Sequence, residues 1–473
     1  MEGLEATEIS FSDLENTLRV DADYYSPRFV ALDEKIRKGK FDTLVDLGRF
    51  IPGPFGSEFH VENFVDSGTF RYVRGKDVKP FFVTDNDNVY MPDADFKRME
   101  EFALQENDVL VSVVGTLGNA SLVTADVLPA IYSCKSTVFR SGEVDARYLV
   151  AFLNSELGRK LLLRRTRGTV QTGLNLPDLR AIELPRYSDG FEKAVSEAIS
   201  KSQASDKDSK SLYAQAETLL LRALKLDDWQ PPVTNNYTVR SGSVWDAARL
   251  DADHFHPKFQ AMLDHIKLHA KRCEVLADLC LMIEHGKQPP YSDDGSAFLF
   301  SQKYIGRTGI NYDFPNDEDA TRIDDEFAAQ NSDFLLRRND LLHYSVGAYI
   351  GRTQPFLEDE PLAMPGSFIT LIRANQNKIH PIYLGCVLNS IVGQMQTDKM
   401  KSASAQPYIY PKDIRQFLVP FVAPDVEKEI VRCVEESHAA KRRAKSLLER
   451  AKRAVEVAIE TDEAAGLAVL EKQ

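Results

Sequence analysis

RVDADYYSPRF, residues 19–29, returns as RLDADHFHPKF at residues 249–259. Six of the eleven positions are identical, and Val20/Leu250, Tyr25/Phe255 and Arg28/Lys258 are conservative exchanges. The phrase sets an offset of 230 that later segments keep with small drifts. TLVDL (43–47) faces VLADL (275–279), and TFRYVRGKDV (69–78) faces AFLFSQKYI (297–305). NDVLVSVVG (107–115) faces NDLLHYSVG (339–347), YLVAFLNS (148–155) faces YLGCVLNS (383–390), and LPDLRAIELP (176–185) faces YPKDIRQFLVP (410–420). Drift of a few residues is what loop insertions produce. A period this long indicates a duplicated domain, since solenoid units run about 20–50 residues.

The totals agree with more than one core. A chain of 473 residues exceeds the usual size of a single domain, and 43% hydrophobic with 27% charged residues is ordinary soluble composition. No apolar run approaches a membrane span, and the start MEGLEATEIS lacks a basic segment followed by an apolar one, so no signal peptide is expected. The five cysteines are scattered without a CxxC pair, which argues against a zinc ribbon or a disulfide framework and for a reducing cytoplasm. The net charge of −13 speaks against indiscriminate DNA binding but leaves room for a local basic face.

Within each copy, short runs rich in Val, Ile, Phe and Tyr alternate with Gly, Pro and Asp, as strands and turns do. One amphipathic helix is expected over about 146–165, with its counterpart at about 381–398. A last strand ends in Leu-Pro or Val-Pro, and a long helical stretch follows. Residues 227–243, DDWQPPVTNNYTVRSGS, have linker composition. The long helices carry a stride of four and three: Phe191, Val195, Ala198, Ser202, Ser205, Ser209, Leu212, Ala216, Leu219 and Ala223 in the first. The second has Val426, Ile430, Cys433, Ser437, Ala440, Ala444, Leu447, Ala451, Ala454 and Ala458. This is a heptad seam whose small residues permit close backbone approach. The first seam covers 33 residues, roughly 50 Å at about 1.5 Å per residue.

The fold class expected is therefore α+β: two mixed α/β domains joined by two long helices in an antiparallel coiled coil, an internal duplication with a pseudo-twofold axis. The expected segments are 1–188 (first domain), 189–226 (first helix), 227–422 (second domain with its linker), 423–461 (second helix) and 462–473 (tail). The helix pattern alone equally suits a plain helical bundle or dimerisation stalk.

The ordered motifs GPFGS (53–57), YVRGKDV (72–78), NDVLVSVVGTLG (107–118) and QTGLNLPDLRAIELP (171–185), closed by a long helix, resemble one repeat of the specificity subunit of type I restriction–modification systems. The second copy matches more loosely through GKQPPYSDDG (286–295), FSQKYIG (300–306), NDLLHYSVGAYIG (339–351) and SAQPYIYPKDIRQFLVP (404–420). The resemblance covers roughly residues 15–460 and implies a non-catalytic reader of double-stranded DNA. In that family each globular repeat is a target-recognition domain for half of a split site, and the paired helices set the gap. The resemblance further implies two methyltransferase subunits as partners, with restriction and translocase subunits able to join. S-adenosylmethionine belongs to the methyltransferase, and no cofactor is expected in this chain. Alternatives of function are a subunit of a type IIB-like or related defence system, and a coiled-coil scaffold with no DNA role.

Candidate DNA contacts are loop residues of the types that suit bases or phosphates. They are Ser57, Arg74, Lys76, Thr116, Asn119 and Gln171 in the first copy, and Gln302, Lys303, Tyr349, Arg352 and Gln406 in the second. Most differ between copies, so different half-sites and an asymmetric target are expected. No catalytic residue is assigned. Asp251, Asp253, His254 and His256 invite a metal reading, but the first copy has Tyr24 and Ser26 in place of the histidines, so a structural role is the better reading. QPPY (288–291) resembles an amino-methyltransferase motif, yet lacks its first residue and reads better as a surface turn. PDLRAIELP (177–185) reads as an edge strand.

Overall fold

The segments NDVLVSVVG and NDLLHYSVG each supply the central strand of a sheet. Strand Val109–Ser112 lies between Ser136–Ser141 and Ala120–Leu122, and Leu341–Tyr344 lies between Ile369–Ala374 and Thr353–Pro355. All four residues of each strand are buried, so both faces of each sheet are covered. In the computed structural model these sheets belong to two units, residues 1–206 with 442–473, and residues 207–441. The structure describes residues 6–11, 14, 19–54, 56–167, 172–234, 236–317, 319–402 and 405–471.

Among the described residues the first unit has a five-stranded sheet ordered Gly48–Pro52, Ser136–Ser141, Val109–Ser112, Ala120–Leu122, Phe81–Phe82. A three-stranded sheet, Val89–Met91, Phe70–Val73, Ala130–Tyr132, packs beside it, and Lys40–Thr43 pairs with Glu183–Arg186. The second unit has the same order without a counterpart of Phe81–Phe82. It has Cys280–His285, Ile369–Ala374, Leu341–Tyr344, Thr353–Pro355; then Arg322–Ile323, Ala297–Phe300, Ala363–Pro365; then Arg272–Val275 with Leu418–Phe421. The period-two alternation of the central strands divides each core. Val109 and Val111 pack with Phe139, Leu149 and Phe152, whereas Leu110 packs with Val73, Tyr132 and Val138. In the second unit Leu341 joins Tyr383 and Val387, and Leu342 joins Phe300 and Phe356.

The Asn-Asp pair that opens each motif has a structural reason. Asn107 and Asn339 take left-handed backbone, φ 69° and 74°, which Asn tolerates in a tight turn. The next residue is a buried carboxylate. Arg140 grips Asp108 with two bonds of 2.7 Å, and Arg373 grips Asp340 with bonds of 2.8 and 2.7 Å. Each carboxylate also accepts a backbone N–H, from Gln105 (2.8 Å) and Arg337 (2.9 Å).

The single amphipathic helix expected after each sheet is two helices: Ala146–Asn154 and Glu156–Arg164, then Pro381–Asn389 and Ile391–Met400. The break falls at Ser155 and Ser390. Their hydroxyls accept the N–H of Gly158 (3.0 Å) and Val392 (3.2 Å), capping the second helix of each pair. Glycine is required just beyond. A Cβ on Gly158 would lie 1.9 Å from Phe152 O, and one on Gly393 2.0 Å from Leu388 O. The first helix of each pair is anchored by a buried tyrosine: Tyr148 donates to Pro185 O (2.7 Å) and Tyr383 to Pro420 O (2.8 Å).

The long helices are Asp189–Ala223 and Pro424–Glu460. In the first unit Phe191, Val195, Ala198 and Ile199 share a core with Ala451, Ala454, Val455 and Ala458. Ser202 Oγ donates to Ala444 O (2.8 Å), while Phe191 and Ala458 both flank Gly466, so the two helices run antiparallel there. In the second unit Ser437 Oγ donates to Ser209 O (2.7 Å) and lies 3.1 Å from Ser209 Oγ. Ala216, Leu220 and Leu224 share a core with Ile430 and Cys433. Three seam residues of the first helix differ from the heptad reading. Leu212, Leu219 and Ala223 are half-buried, and Tyr213, Leu220 and Leu224 take the interior positions. An α-helix turns every 3.6 residues, so its buried stripe slips by one position against a strict 3.5-residue repeat. On the second helix Ala444 and Ala451 are buried and Leu447 is half-buried.

Two stability outcomes follow from this packing. Ser437→Leu should overfill the serine contact and cost about 1–3 kcal/mol in urea unfolding, with Ser437→Ala costing less. Asp340→Ala should cost about 3–5 kcal/mol by leaving the Arg373 guanidinium without its carboxylate. Asp108→Ala should do the same through Arg140. An unfolding midpoint unmoved by either aspartate change would contradict the role given to these pairs.

Candidate nucleic-acid interface

The expected loop candidates do not all serve one purpose. In the first unit a turn at Ser133–Ser136 sits at the centre of a loop cluster. Three backbone bonds fix it: Ser133 N to Val73 O (3.0 Å), Ser136 N to Ser133 O (3.1 Å) and Val113 N to Lys135 O (2.9 Å). Around it lie Gly53, whose Cβ would be 2.6 Å from Ser133 O, Gly56, whose Cβ would be 3.7 Å from Cys134 Sγ, and Gly75, whose Cβ would lie 2.9 Å from Lys135 Cβ. The loop after the central strand completes the group, turning at Gly115 with φ +89°. Ser57, Lys76 and Thr116 are thus gathered round Cys134 and Lys135, and all five are exposed.

The second unit builds the same cluster. Gly366 N donates to Phe300 O, Ile369 N to Gly366 O and Ser345 N to Phe368 O, each at 3.0 Å. Gly286 and Lys287 bond to this segment, through Ile369 O (2.8 Å) and Pro365 O (2.9 Å). Gly347, with φ +102°, donates to Pro407 O (2.9 Å) and brings the 406–410 loop alongside. Gln302 is half-buried, and Gln406 is exposed in that loop. Tyr349 is half-buried beneath Arg352, whose guanidinium lies 3.7 Å from the ring centroid. Lys303 is exposed but paired, with Nζ 3.0 Å from Asp317 and 3.4 Å from Asp319.

Two candidates turn inward. Arg74 bonds Asp77 at 2.9 and 3.0 Å and Asp87 O at 2.5 Å, so its guanidinium braces its own turn. Asn119 is buried: Nδ2 donates to Val78 O (3.1 Å) and Oδ1 accepts from Arg159 (2.9 Å). Gln171 lies outside the described residues. Sequence reasoning passed over the central turn itself, Cys134–Lys135 and Ser367–Phe368. The signal was available in the aligned segments AIYSCKSTVFR (130–140) and AMPGSFITLIR (363–373), in which alanine, threonine and arginine recur around a tip that differs.

The repeated opening phrase is a helix clamp. Arg19 is held by Asp21 at 2.8 and 3.1 Å and reaches Thr166 O (3.3 Å), past the end of helix Glu156–Arg164. Arg249 is held by Asp251 at 2.8 and 2.6 Å and reaches Met400 O (2.8 Å) and Lys401 O (2.9 Å). Cations satisfying terminal helix carbonyls are favourable on both hydrogen-bond and dipole grounds. Pro27 and Pro257 open the helices that follow, and Phe29 and Phe259 are buried below. His254 bonds Lys399 O (2.7 Å), whereas His256 Nδ1 accepts Lys258 N–H (3.1 Å) as a helix cap. Among the described residues no group of three or more His, Cys, Asp and Glu side chains is placed to hold a metal ion. The segment read as an edge strand, PDLRAIELP, begins as helix Leu176–Arg180, where the buried Asp178 takes Arg167 at 2.7 and 2.8 Å. Its end, Glu183–Arg186, is a strand with one partner.

Under the second cluster runs a chain of side-chain hydrogen bonds. Tyr408 OH lies 2.6 Å from His285 Nε2, His285 Nδ1 3.2 Å from Thr370 Oγ1, and Thr370 Oγ1 2.7 Å from Ser345 Oγ. On the next strand His343 Nδ1 lies 2.8 Å from Thr353 Oγ1, which donates onward to Gly351 O (3.0 Å). Burial pushes His343 down to about 3, helped by the neighbouring His285, and burial lowers His285 as well. Both imidazoles are therefore neutral near pH 7.

No known family profile and no curated protein matches the chain. Among solved structures it is similar to the type I restriction–modification S subunit from M. genitalium, at 14% identity, with 92% of this chain and 96% of that one covered and a TM-score of 0.40. It is also similar to the HsdS subunit from Thermoanaerobacter tengcongensis, at 14% identity over 89% and 97% of the two chains, with a TM-score of 0.28. A structure described for assembly and conformational transition of the type I R-M system matches at 16% identity over 90% and 97%, with a TM-score of 0.28. Identity and TM-score are low throughout, so the functional reading below rests on the duplicated motifs and the loop geometry.

His343 gives a pH dependence of known sign. Its pKa is lower folded than unfolded, so the unfolded chain takes up a proton first as pH falls below about 6.5. Stability should be full above that value and fall toward pH 3, by at most about 1.4 kcal/mol per pH unit from this group. His343→Gln should flatten the dependence of the melting temperature between pH 6.5 and 4. An equally steep profile in the variant would remove His343 as the cause.

Proposed function

We propose that the chain is a non-catalytic DNA sequence-recognition subunit of a type I restriction–modification complex. Each unit reads one half of a bipartite, asymmetric target in double-stranded DNA. The chain directs two adenine methyltransferase subunits, which bring S-adenosylmethionine, and restriction and translocase subunits join them in a cytoplasmic setting. The two units are read as copies of one domain, and the long helices as an antiparallel coiled-coil spacer. The observation that carries the proposal is one loop frame built twice with different tips. Strand order, buried Asp–Arg pair, helix clamp and central turn recur, while the tip of that turn is Lys135 in the first cluster and Phe368 in the second. A constant frame with variable loop side chains is what two readers of different sequences require.

The exposed lysines address the charge objection. Phosphate contacts need a few local cations, and partner subunits can supply more, so a net charge of −13 is compatible with a specific reader.

The test is to co-purify the chain with the methyltransferase encoded nearby and map methylation on random-sequence DNA. The expected product is a split motif with unlike halves; a single contiguous or palindromic motif would overturn the reading. A stable complex that methylates without sequence preference would point to a scaffold. Lys135→Ala should weaken binding similarly on all sequences and reduce the slope of log affinity against log salt by about one.

A further inference from the structure

The central turn has the same three backbone bonds in both units, yet one tip is a lysine and the other a phenylalanine. Phe368 is 53% exposed, on a turn whose counterpart carries a charged side chain without loss of geometry. A single exposed ring is ordinary on a protein surface, so Phe368 carries meaning only through the exposed rings around it. Phe368 is not alone. Tyr291 is 60% and Tyr410 51% exposed. Ser367, next to Phe368, donates to Gln288 Oε1 (3.3 Å), and Gln288 Nε2 donates to Tyr291 OH (3.2 Å), so the turn and Tyr291 are tied together. The Tyr410 ring lies 4.5 Å from that of Tyr408, tilted by 56°, and Lys412 Nζ lies 5.5 Å from the Tyr410 ring. Lys287 bonds the turn through its backbone alone, to Pro365 O (2.9 Å), and its ammonium lies 4.1 Å from the Phe334 ring.

Exposed aromatic rings beside an exposed ammonium group, Lys412, fit nucleic acid: the rings take base faces and the cation a phosphate. An aromatic protein patch would serve a protein partner too, but its ordinary setting is a core depleted of charge, which Lys412 at the patch does not provide. A rigid turn holding one apolar ring outward also matches the geometry of a wedge between base pairs. We infer that Phe368 enters the base stack of the half-site belonging to the second unit, and that the step it opens is pyrimidine–purine, the kind most easily unstacked. The first unit, with Lys135 in that place, makes a phosphate contact and leaves its half-site stacked. This inference rests on the function proposed above.

The experiment uses the full chain with its methyltransferase and the motif found by methylation mapping. 2-Aminopurine is placed singly along each half-site. The wild-type complex should brighten it at one step in one half only, and that step should be TA, CA or TG. Phe368→Ala should abolish the signal and lower methylation kcat/KM on the order of tenfold, with the other half of the motif read as before. Phe368→Tyr should restore both. Equal 2-aminopurine signals in wild type and Phe368→Ala would overturn the wedge while leaving the specificity role intact. Loss of the methyltransferase from the Phe368→Ala complex would overturn it in favour of a protein-docking patch. A wild-type complex with no sequence-selective methylation would instead remove the proposed function, and the wedge with it.

Discussion

One buried carboxylate holds each unit together. Asp108 and Asp340 sit at the turn before the central strand, almost fully out of water, and each takes an arginine from the neighbouring strand plus a backbone N–H from its own turn. An unpaired carboxylate at such depth would cost several kcal/mol, so the arginine and aspartate must come together or not at all. The strand that carries the arginine begins at the central turn of the loop cluster. Register between the two strands therefore fixes where Lys135 and Phe368 stand, because a slip of one residue would send every side chain to the opposite face.

The same economy governs the other cations. Arg19, Arg140, Arg167, Arg249 and Arg373 each meet an aspartate in bidentate geometry. Arginine suits this work because its planar fork matches a carboxylate and stays charged when buried. Positive charge at the loop tips falls to lysine instead, at Lys76 and Lys135, whereas Lys303 is paired with Asp317 and Asp319. An acidic chain can thus spend its arginines on structure and still present ammonium groups where loops converge.

Much of this was legible in the sequence, and the failures have a common cause. The repeat was visible because clamps, turns and ion pairs need particular residue types at fixed spacing: Arg-x-Asp, Asn-Asp, and Asn-Ser ahead of a glycine. Arg74 and Asn119 were misjudged because residue type does not tell whether a polar side chain is satisfied by its own fold. Asp77 and Asp87 claim the first, Val78 and Arg159 the second. The helix break at Ser155 was missed because hydrophobic periodicity continues across it, and only the cap and the close approach at Gly158 reveal it. Leu212 and Leu219 were assigned inward by a strict seven-residue stride that a straight helix does not keep.

The central turn was missed for the opposite reason: its identity lies in what does not repeat. Side chains that fold each unit stand at matching places in both. Arg140 and Arg373 each pair with a buried aspartate that would otherwise be stranded. Lys135 and Phe368 stand on turns fixed by the same three backbone bonds, so the two tips differ on a shared frame. Positions that differ between the two units, on backbone that does not, therefore change what each loop cluster presents without changing its frame.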